Sequence, residues 1–504
     1  MLDGGILSPS TEQTHEEPQR PGIHVLPPEL LCDIFAAIDD YADLITSTHV
    51  CKHWRSLSLS NPGRLWSEVR TLGSAGVFTE AMARTQQAPA DVAAVVRKSN
   101  AEEVANVLTG HLSHIQKLSL QFDEELDLDF AERIAHALSL PAPLLHRLVI
   151  LDVHDVLASG FDSGQPCCDL NQLFNGQAPP NLSTVKLFCS SRPYTALPAF
   201  SNVRQVMYAS NGIFLLPAEL TAVLHWGTFE NLELLALEFD HWDALPEHRE
   251  PLPPSLKCLV LSIEDPETNA VDLLHALDNH KHVPHIRIQY NNGCDPDVGS
   301  KVLEYVLPSA GGVVELIIDS SESDLALFEA VPSRGFRREV YDVPPVLSEG
   351  AFDHLTRLSV SEWEWTGIDP YPAAPLLTHL TLRLVAPQFV TQESMHRSVF
   401  VDLDAGGVLH APRLHTFAVS TRRSGDPALL GMTPALAPEM VVQFLTARLV
   451  YDAGKLPVLF LNGVGLLENL VEHVIELLDL VEEVQCGPGH FHPSDPLTDL
   501  VNWE

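Results

Sequence analysis

Leu232-Glu233-Leu234-Leu235-Ala236-Leu237 and Leu256-Lys257-Cys258-Leu259-Val260-Leu261 carry one pattern, apolar-x-x-apolar-x-apolar, twenty-four residues apart. The last two apolar positions straddle a single residue, the alternation of a strand with one buried face. The pattern recurs outward in both directions. Toward the N-terminus it reads Val203/Val206/Tyr208, Leu182/Val185/Leu187, Leu145/Leu148/Ile150 and Ile115/Leu118/Leu120. Toward the C-terminus it reads Val283/Ile286/Ile288, Val313/Leu316/Ile318, Leu355/Leu358/Val360, Leu377/Leu380/Leu382 and Leu414/Phe417/Val419. Successive third positions are 21 to 42 residues apart. Helical periodicity fills several intervals, over 130–138, at Val271, Leu274 and Leu277, at Val298, Val302, Leu303 and Val306, and over 440–449. A strand followed by a helix or loop has an apolar face it cannot bury alone, and stacking such units makes one continuous core.

Most of these intervals are similar to the period of leucine-rich repeats, stretched by insertions. The expected fold is therefore α+β overall, with an irregular α/β leucine-rich-repeat solenoid, or horseshoe, over residues 111–465. Residues 466–486 read as an acidic capping helix, with Glu468, Glu472 and Glu476 on its outer side, and 487–504 as a tail. Residues 71–110 are Ala-rich, including the run 90–96, and read as a helical connector. Residues 1–22 are polar, almost without apolar side chains, and read as a disordered tail.

Composition narrows the function. The chain has 504 residues, 45% of them hydrophobic, and a net charge of −37. That charge repels phosphate backbones and anionic lipid, and the sequence shows no basic stripe, so neither nucleic acid nor membrane is expected as a partner. The same charge favours a cationic segment on a protein partner. No secretory signal or 18-residue apolar run is found, and the eight Cys are scattered without framework spacing. These features fit a reducing compartment, cytoplasm and/or nucleus.

Residues 23–70 differ in character. Pro28 suits the first turn of a helix and Glu29 complements its positive end. Leu30, Leu31, Ile34, Phe35 and Ile38 follow at helical spacing. Asp43-Leu44 opens a second short helix, Val50, Cys51, Trp54 and Leu57 supply a third, and Asn61-Pro62-Gly63 ends it. A unit this small buries little core and is marginal unless it docks.

The stretch resembles an F-box. The resemblance rests on Leu26-Pro27-Pro28-Glu29-Leu30-Leu31-Cys32-Asp33-Ile34-Phe35, then Asp43-Leu44, Val50-Cys51-Lys52-His53-Trp54-Arg55 and Pro62-Gly63-Arg64-Leu65-Trp66. It departs from the usual pattern at Ile45-Thr46-Ser47-Thr48-His49, which is more polar, and at Gly63-Arg64. The resemblance implies a non-catalytic substrate receptor of an SCF-type cullin–RING ubiquitin ligase. Its F-box would dock on the adaptor subunit, and through it a cullin, by Leu26, Pro27, Pro28, Leu30, Leu31, Ile34, Phe35, Leu44, Val50, Cys51 and Trp54. The repeat array would hold a protein substrate. The degenerate repeats and acidic, Pro-rich composition are similar to expanded fungal F-box families. A non-ligase F-box protein and a plain repeat scaffold are the alternatives.

Other motifs carry less. Adjacent Cys167-Cys168 cannot both bind one zinc in the usual geometry. His280-Lys281-His282 and His490-Phe491-His492 read as surface histidines, and Trp242, Trp363 and Trp365 as side chains packed in inter-repeat insertions. No nucleotide-binding, nucleophile-elbow or zincin motif occurs, so no catalytic residue, metal or cofactor is expected.

Overall fold

The computed structural model describes residues 26–38, 41–71, 76–124, 126–152, 170–188, 198–209, 229–239, 250–309, 313–320, 326–332, 336–344, 346–384, 407–421, 435–466 and 471–487. Four helices come first: α1 (Pro28–Ala36), α2 (Tyr41–Ser47), α3 (Lys52–Ser60) and α4 (Pro62–Leu65). The described residues beyond them are organised by one sheet of seventeen strands.

The sheet starts with β1 (Glu68–Arg70), β2 (Ala90–Val96), β3 (Ile115–Phe122), β4 (Arg147–Asp152) and β5 (Thr184–Phe188). It continues through β6 (Gln205–Ala209), β7 (Leu234–Phe239), β8 (Cys258–Ile263) and β9 (His285–Tyr290). These nine strands lie side by side in chain order, all parallel. The third apolar positions form one ladder: Leu120 faces Ile150, then Leu187, Tyr208, Leu237, Leu261 and Ile288. Each is essentially inaccessible to solvent. A one-residue slip of any strand would turn this row outward, so burial pins the register.

The order then breaks. β10 (Val313–Ser320) does not pair with β9. The chain returns through β11 (Ala326–Pro332) and β12 (Arg337–Val343), both antiparallel to their predecessors, and β12 closes on β9 in parallel. From the other side of β10 the parallel order resumes with β13 (Arg357–Ser361), β14 (His379–Leu384), β15 (Thr416–Thr421), β16 (Leu456–Asn462) and β17 (Val481–Gly487). The ladder resumes as well, through Ile318, Val360, Leu382, Val419 and Leu461. The long interval between positions 318 and 360 is thus a hairpin wedged into the sheet.

The inner face of the sheet shares one core with α5 (Val77–Thr85), α6 (Ala101–His111), α7 (Leu128–Leu138), α8 (Ala270–Ala276), α9 (Pro296–Ser309), α10 (Glu362–Gly367) and α11 (Pro438–Arg448). Local capping sets several helix starts: Asn269 accepts from the Val271 N–H, and Ser361 Oγ from the Glu364 N–H. Full burial of each Leu, Ile or Val on this face is worth about 1.5–3 kcal/mol.

Three sequence expectations need correction. The 71–110 segment is not a helical connector. Residues 90–96 form β2, with alternating burial, because pairing between β1 and β3 overrides the helix propensity of Ala. The capping helix α12 spans Val471–Leu480, and Val481–Gly487 is the edge strand. Its outer side mixes Glu472, Glu476 and Asp479 with exposed Ile475 and Leu478. Finally, His280 is not a surface histidine. It is 7% exposed, with Nδ1 2.8 Å from the Leu277 carbonyl and Nε2 2.8 Å from the Tyr305 hydroxyl. His490, His492, Cys167, Cys168 and Trp242 lie outside the described residues. Trp365 is fully buried against Tyr371 and Phe444, as the packing reading expects.

The His280 geometry has a pH consequence. Nδ1 donates to the carbonyl, and Nε2 accepts from Tyr305. Burial, with Lys281 and His275 nearby, lowers its pKa. The unfolded chain therefore takes up a proton near pH 6.5 that the folded chain resists, and stability falls as pH falls through that value. A thermal-melt series from about pH 7.5 to about pH 5.5 should show this fall. His280→Gln should be less stable at neutral pH and show a shallower fall. Equal slopes in the two proteins would exclude His280.

Candidate partner interface

The N-terminal helices pack around a small core of Leu31, Cys32, Phe35, Leu44, Leu57, Leu65 and Trp66. Trp54 stands edge-on to Phe35, with ring centroids 5.0 Å apart. Trp66 donates its indole N–H to the Ser58 carbonyl at 3.2 Å. Cys51 caps α3, its sulfur accepting from the Trp54 N–H at 3.5 Å. Asp33 pairs with Arg64 across α1 and α4.

The expected docking residues therefore divide. Leu31, Phe35 and Leu44 are 0%, 1% and 4% exposed and hold the unit together. Leu26, Trp54 and Cys51 are partly buried. Pro27 and Pro28 are exposed. Leu30, Ile34 and Val50 are 49%, 45% and 62% exposed, large apolar side chains facing outward. Leu30 and Ile34 sit at i and i+4, one stripe on α1, while Leu31 and Phe35 form the adjacent stripe turned inward. Two apolar stripes on one short helix leave the sequence unable to say which faces the protein.

A profile of the F-box-like family matches residues 23–71. Residues 23–71 are an F-box-like domain. No curated protein matches the chain. The F-box-like domain ends inside the sheet, since β1 is its last segment. Arg84, on α5, ties the two parts together. Its side chain is 5% exposed, its guanidinium lies 4.8 Å over the Trp66 ring, Nη1 donates to Thr48 Oγ1 at 2.9 Å, and Nε donates to Glu80 at 2.9 Å. Gln86 adds a bond to the Leu59 carbonyl. Arg84→Ala is expected to cost about 1–3 kcal/mol, felt as faster hydrogen exchange in α1–α3 with β3–β9 unchanged. Unaltered exchange in α1–α3 would remove Arg84 as the link.

Among the described residues, the second face of the sheet is mostly polar, with a buried apolar patch of Leu234, Ala236, Cys258 and Val260. At its middle, β8, β9 and β12 gather a charged cluster around Glu339, whose side chain is 2% exposed. Glu339 Oε2 lies 2.6 Å from Arg287 Nε and 3.2 Å from His285 Nε2, and Oε1 lies 2.8 Å from Arg337 Nε. Tyr341 donates to Glu339 at 3.4 Å, and Arg287 stacks on its ring at 5.0 Å. Burial alone would raise the Glu339 pKa; His285, Arg287 and Arg337 outweigh it and hold the carboxyl at about 2.

Cys258 Sγ is 3.6 Å from His285 Nδ1, a nucleophile-and-base spacing. Burial pushes that thiol up to about 11, so it is a packed thiol rather than an activated one. The sequence reading missed this cluster. Its one legible trace is the period-two run Arg337-x-Glu339-x-Tyr341, which marks the hairpin strand β12.

Proposed function

We propose that this chain is the substrate-recognition subunit of an SCF-type ubiquitin ligase. The exposed stripe of Leu30 and Ile34, with Val50 beside it, carries the reading. These are large apolar side chains left outward on an F-box-like domain too small to waste them. They suit the apolar groove of an adaptor subunit. Pro27 and Pro28 fix the entry of α1, and Leu31, Phe35 and Leu44 hold the stripe in place from beneath. The strand array reads as a leucine-rich-repeat-like body whose second face holds a protein substrate. The Arg84 link fixes that face relative to the ligase. No chemistry is required of the chain: it raises the local concentration of a target lysine near the charged conjugating enzyme. The compartment that suits it is the cytoplasm or nucleus.

The test is co-elution of the full chain with purified adaptor, followed by ubiquitin transfer in a reconstituted assembly with cullin and RING subunits. A 1:1 complex supports the reading. A folded chain that never co-elutes with adaptor would leave a repeat scaffold with a helical cap.

A further inference from the structure

Strand register sorts the side chains of the second face into rows, one residue per strand. One row runs Met207, Ala236, Val260 and Arg287. The next, two residues further along each strand, runs Glu238, Ser262 and Gln289. Side chains of both rows line a cavity of about 360 Å³. Its floor is apolar. Ala236 and Val260 are buried beside Leu234 and Cys258, with Met207 packed against them. Beyond the second row, Asn291 accepts from the Ser262 hydroxyl at 3.1 Å and donates its amide to Glu264.

The two charged groups of the lining differ in their engagement. Arg287 donates to Glu339 at 2.6 Å and stacks on the Tyr341 ring at 5.0 Å, so its charge is met within the protein. Glu238 is partly buried, and its carboxylate has no ion pair and no side-chain hydrogen bond among the described residues. Burial first, and then the nearby charge of Glu264, raise its pKa. Glu264 itself is met by the uncharged amides of Asn291 and Asn292. A carboxylate recessed at the end of an apolar floor, with a second one behind it, is an arrangement that a cation relieves.

We propose that this cavity takes a lysine or arginine side chain of a protein partner, its aliphatic stem on Met207, Ala236 and Val260 and its charged head at Glu238. The two rows are roughly 6.6 Å apart along a strand. A long basic side chain covers that distance, burying its stem on apolar surface while the head reaches polar groups. The Gln289 and Ser262 oxygens stand in the same row as further acceptors. A purely apolar ligand would desolvate Glu238 further and give it nothing in return. The chain's charge of −37 draws cationic segments toward this face as well. The inference rests on the receptor reading and deepens it, since it gives the substrate a basic anchor.

The test is an array of immobilised random hexapeptides probed with the full chain. It is repeated with Glu238→Gln, which keeps the shape of the side chain and removes its charge. A second variant, Glu482→Gln/Glu483→Gln, removes two exposed charges from edge strand β17 and controls for general attraction to an acidic chain. Thermal melting checks that each protein is folded. The wild type should select peptides carrying Lys or Arg. Glu238→Gln should weaken those peptides by roughly tenfold, and the β17 variant should leave them unchanged. Selection without basic preference, an unchanged profile in Glu238→Gln, or equal weakening by the β17 variant overturns the inference. Adaptor co-elution measured on the same proteins separates the two ideas. Adaptor binding without basic selection sinks the cavity and keeps the receptor; basic selection without adaptor binding does the reverse.

Discussion

Leu30→Asp/Ile34→Asp is expected to abolish adaptor binding, weakening it by about a hundredfold or more, while the chain stays folded. Each side chain is worth about 1.5–3 kcal/mol when taken from water into a partner groove, and each Asp adds the cost of burying a charge. Both positions are about half exposed in the free chain, so the substitutions leave the F-box-like core untouched. Phe35→Asp is the contrasting variant. Phe35 is 1% exposed against Trp54, and a charge there should unfold the N-terminal helices as well as end binding. Interferometry on immobilised adaptor, read beside circular dichroism, separates the cases. Full-strength binding by the folded Leu30/Ile34 variant would mean that the stripe is not the docking surface.

Glu339→Ala should be the most destabilising single change on the second face of the sheet, by about 3–5 kcal/mol. The loss comes less from broken bonds than from what remains: Arg287 buried with its carboxylate gone, and Arg337 deprived of one carboxylate while keeping Glu329 at 3.0 Å. Pairing the change with removal of the stranded cation, as Arg287→Leu/Glu339→Leu, should recover much of the loss, because apolar side chains fill the site without a charge to satisfy. Urea unfolding of the three proteins measures this. The pH signature has a definite sign. The folded carboxyl titrates at about 2 and the unfolded one near about 4.3. The Glu339 contribution is therefore complete above that upper value and is lost as pH falls toward the lower one. A double variant no more stable than Glu339→Ala would show that packing, not charge, sets the cost.

Much of this was legible in the residues. Every repeat of the apolar-x-x-apolar-x-apolar pattern became a strand, because period two on one buried face has a single solution in a stacked sheet. The helical intervals at 130–138 and 440–449 held for the matching reason at period 3.6. The F-box-like stretch was legible because Pro28, Asp43-Leu44 and Cys51-Lys52-His53-Trp54 combine stop, start and cap signals with apolar spacing. The run 90–96 was misread because Ala and Val give no polar alternation to choose between periods. The hairpin at 326–343 escaped because its place, wedged between β9 and β10, is set by pairing with β9, a strand distant in the chain.

The sequence by itself determined the local repeating unit, the sign of the overall charge and the chemistry of the N-terminal helical segment. These depend on neighbours within a few residues of one another, and chain periodicity records them. Only the tertiary structure decided which stripe of α1 points outward, that Arg84 joins the F-box-like unit to the sheet, and that His285, Arg287, Arg337 and Glu339 meet in one buried cluster. These residues lie on two strands far apart in the chain and meet only because β12 pairs in parallel with β9, His285 facing Arg337 and Arg287 facing Glu339. Proximity of that kind is created by the stacking itself, and no local pattern encodes it.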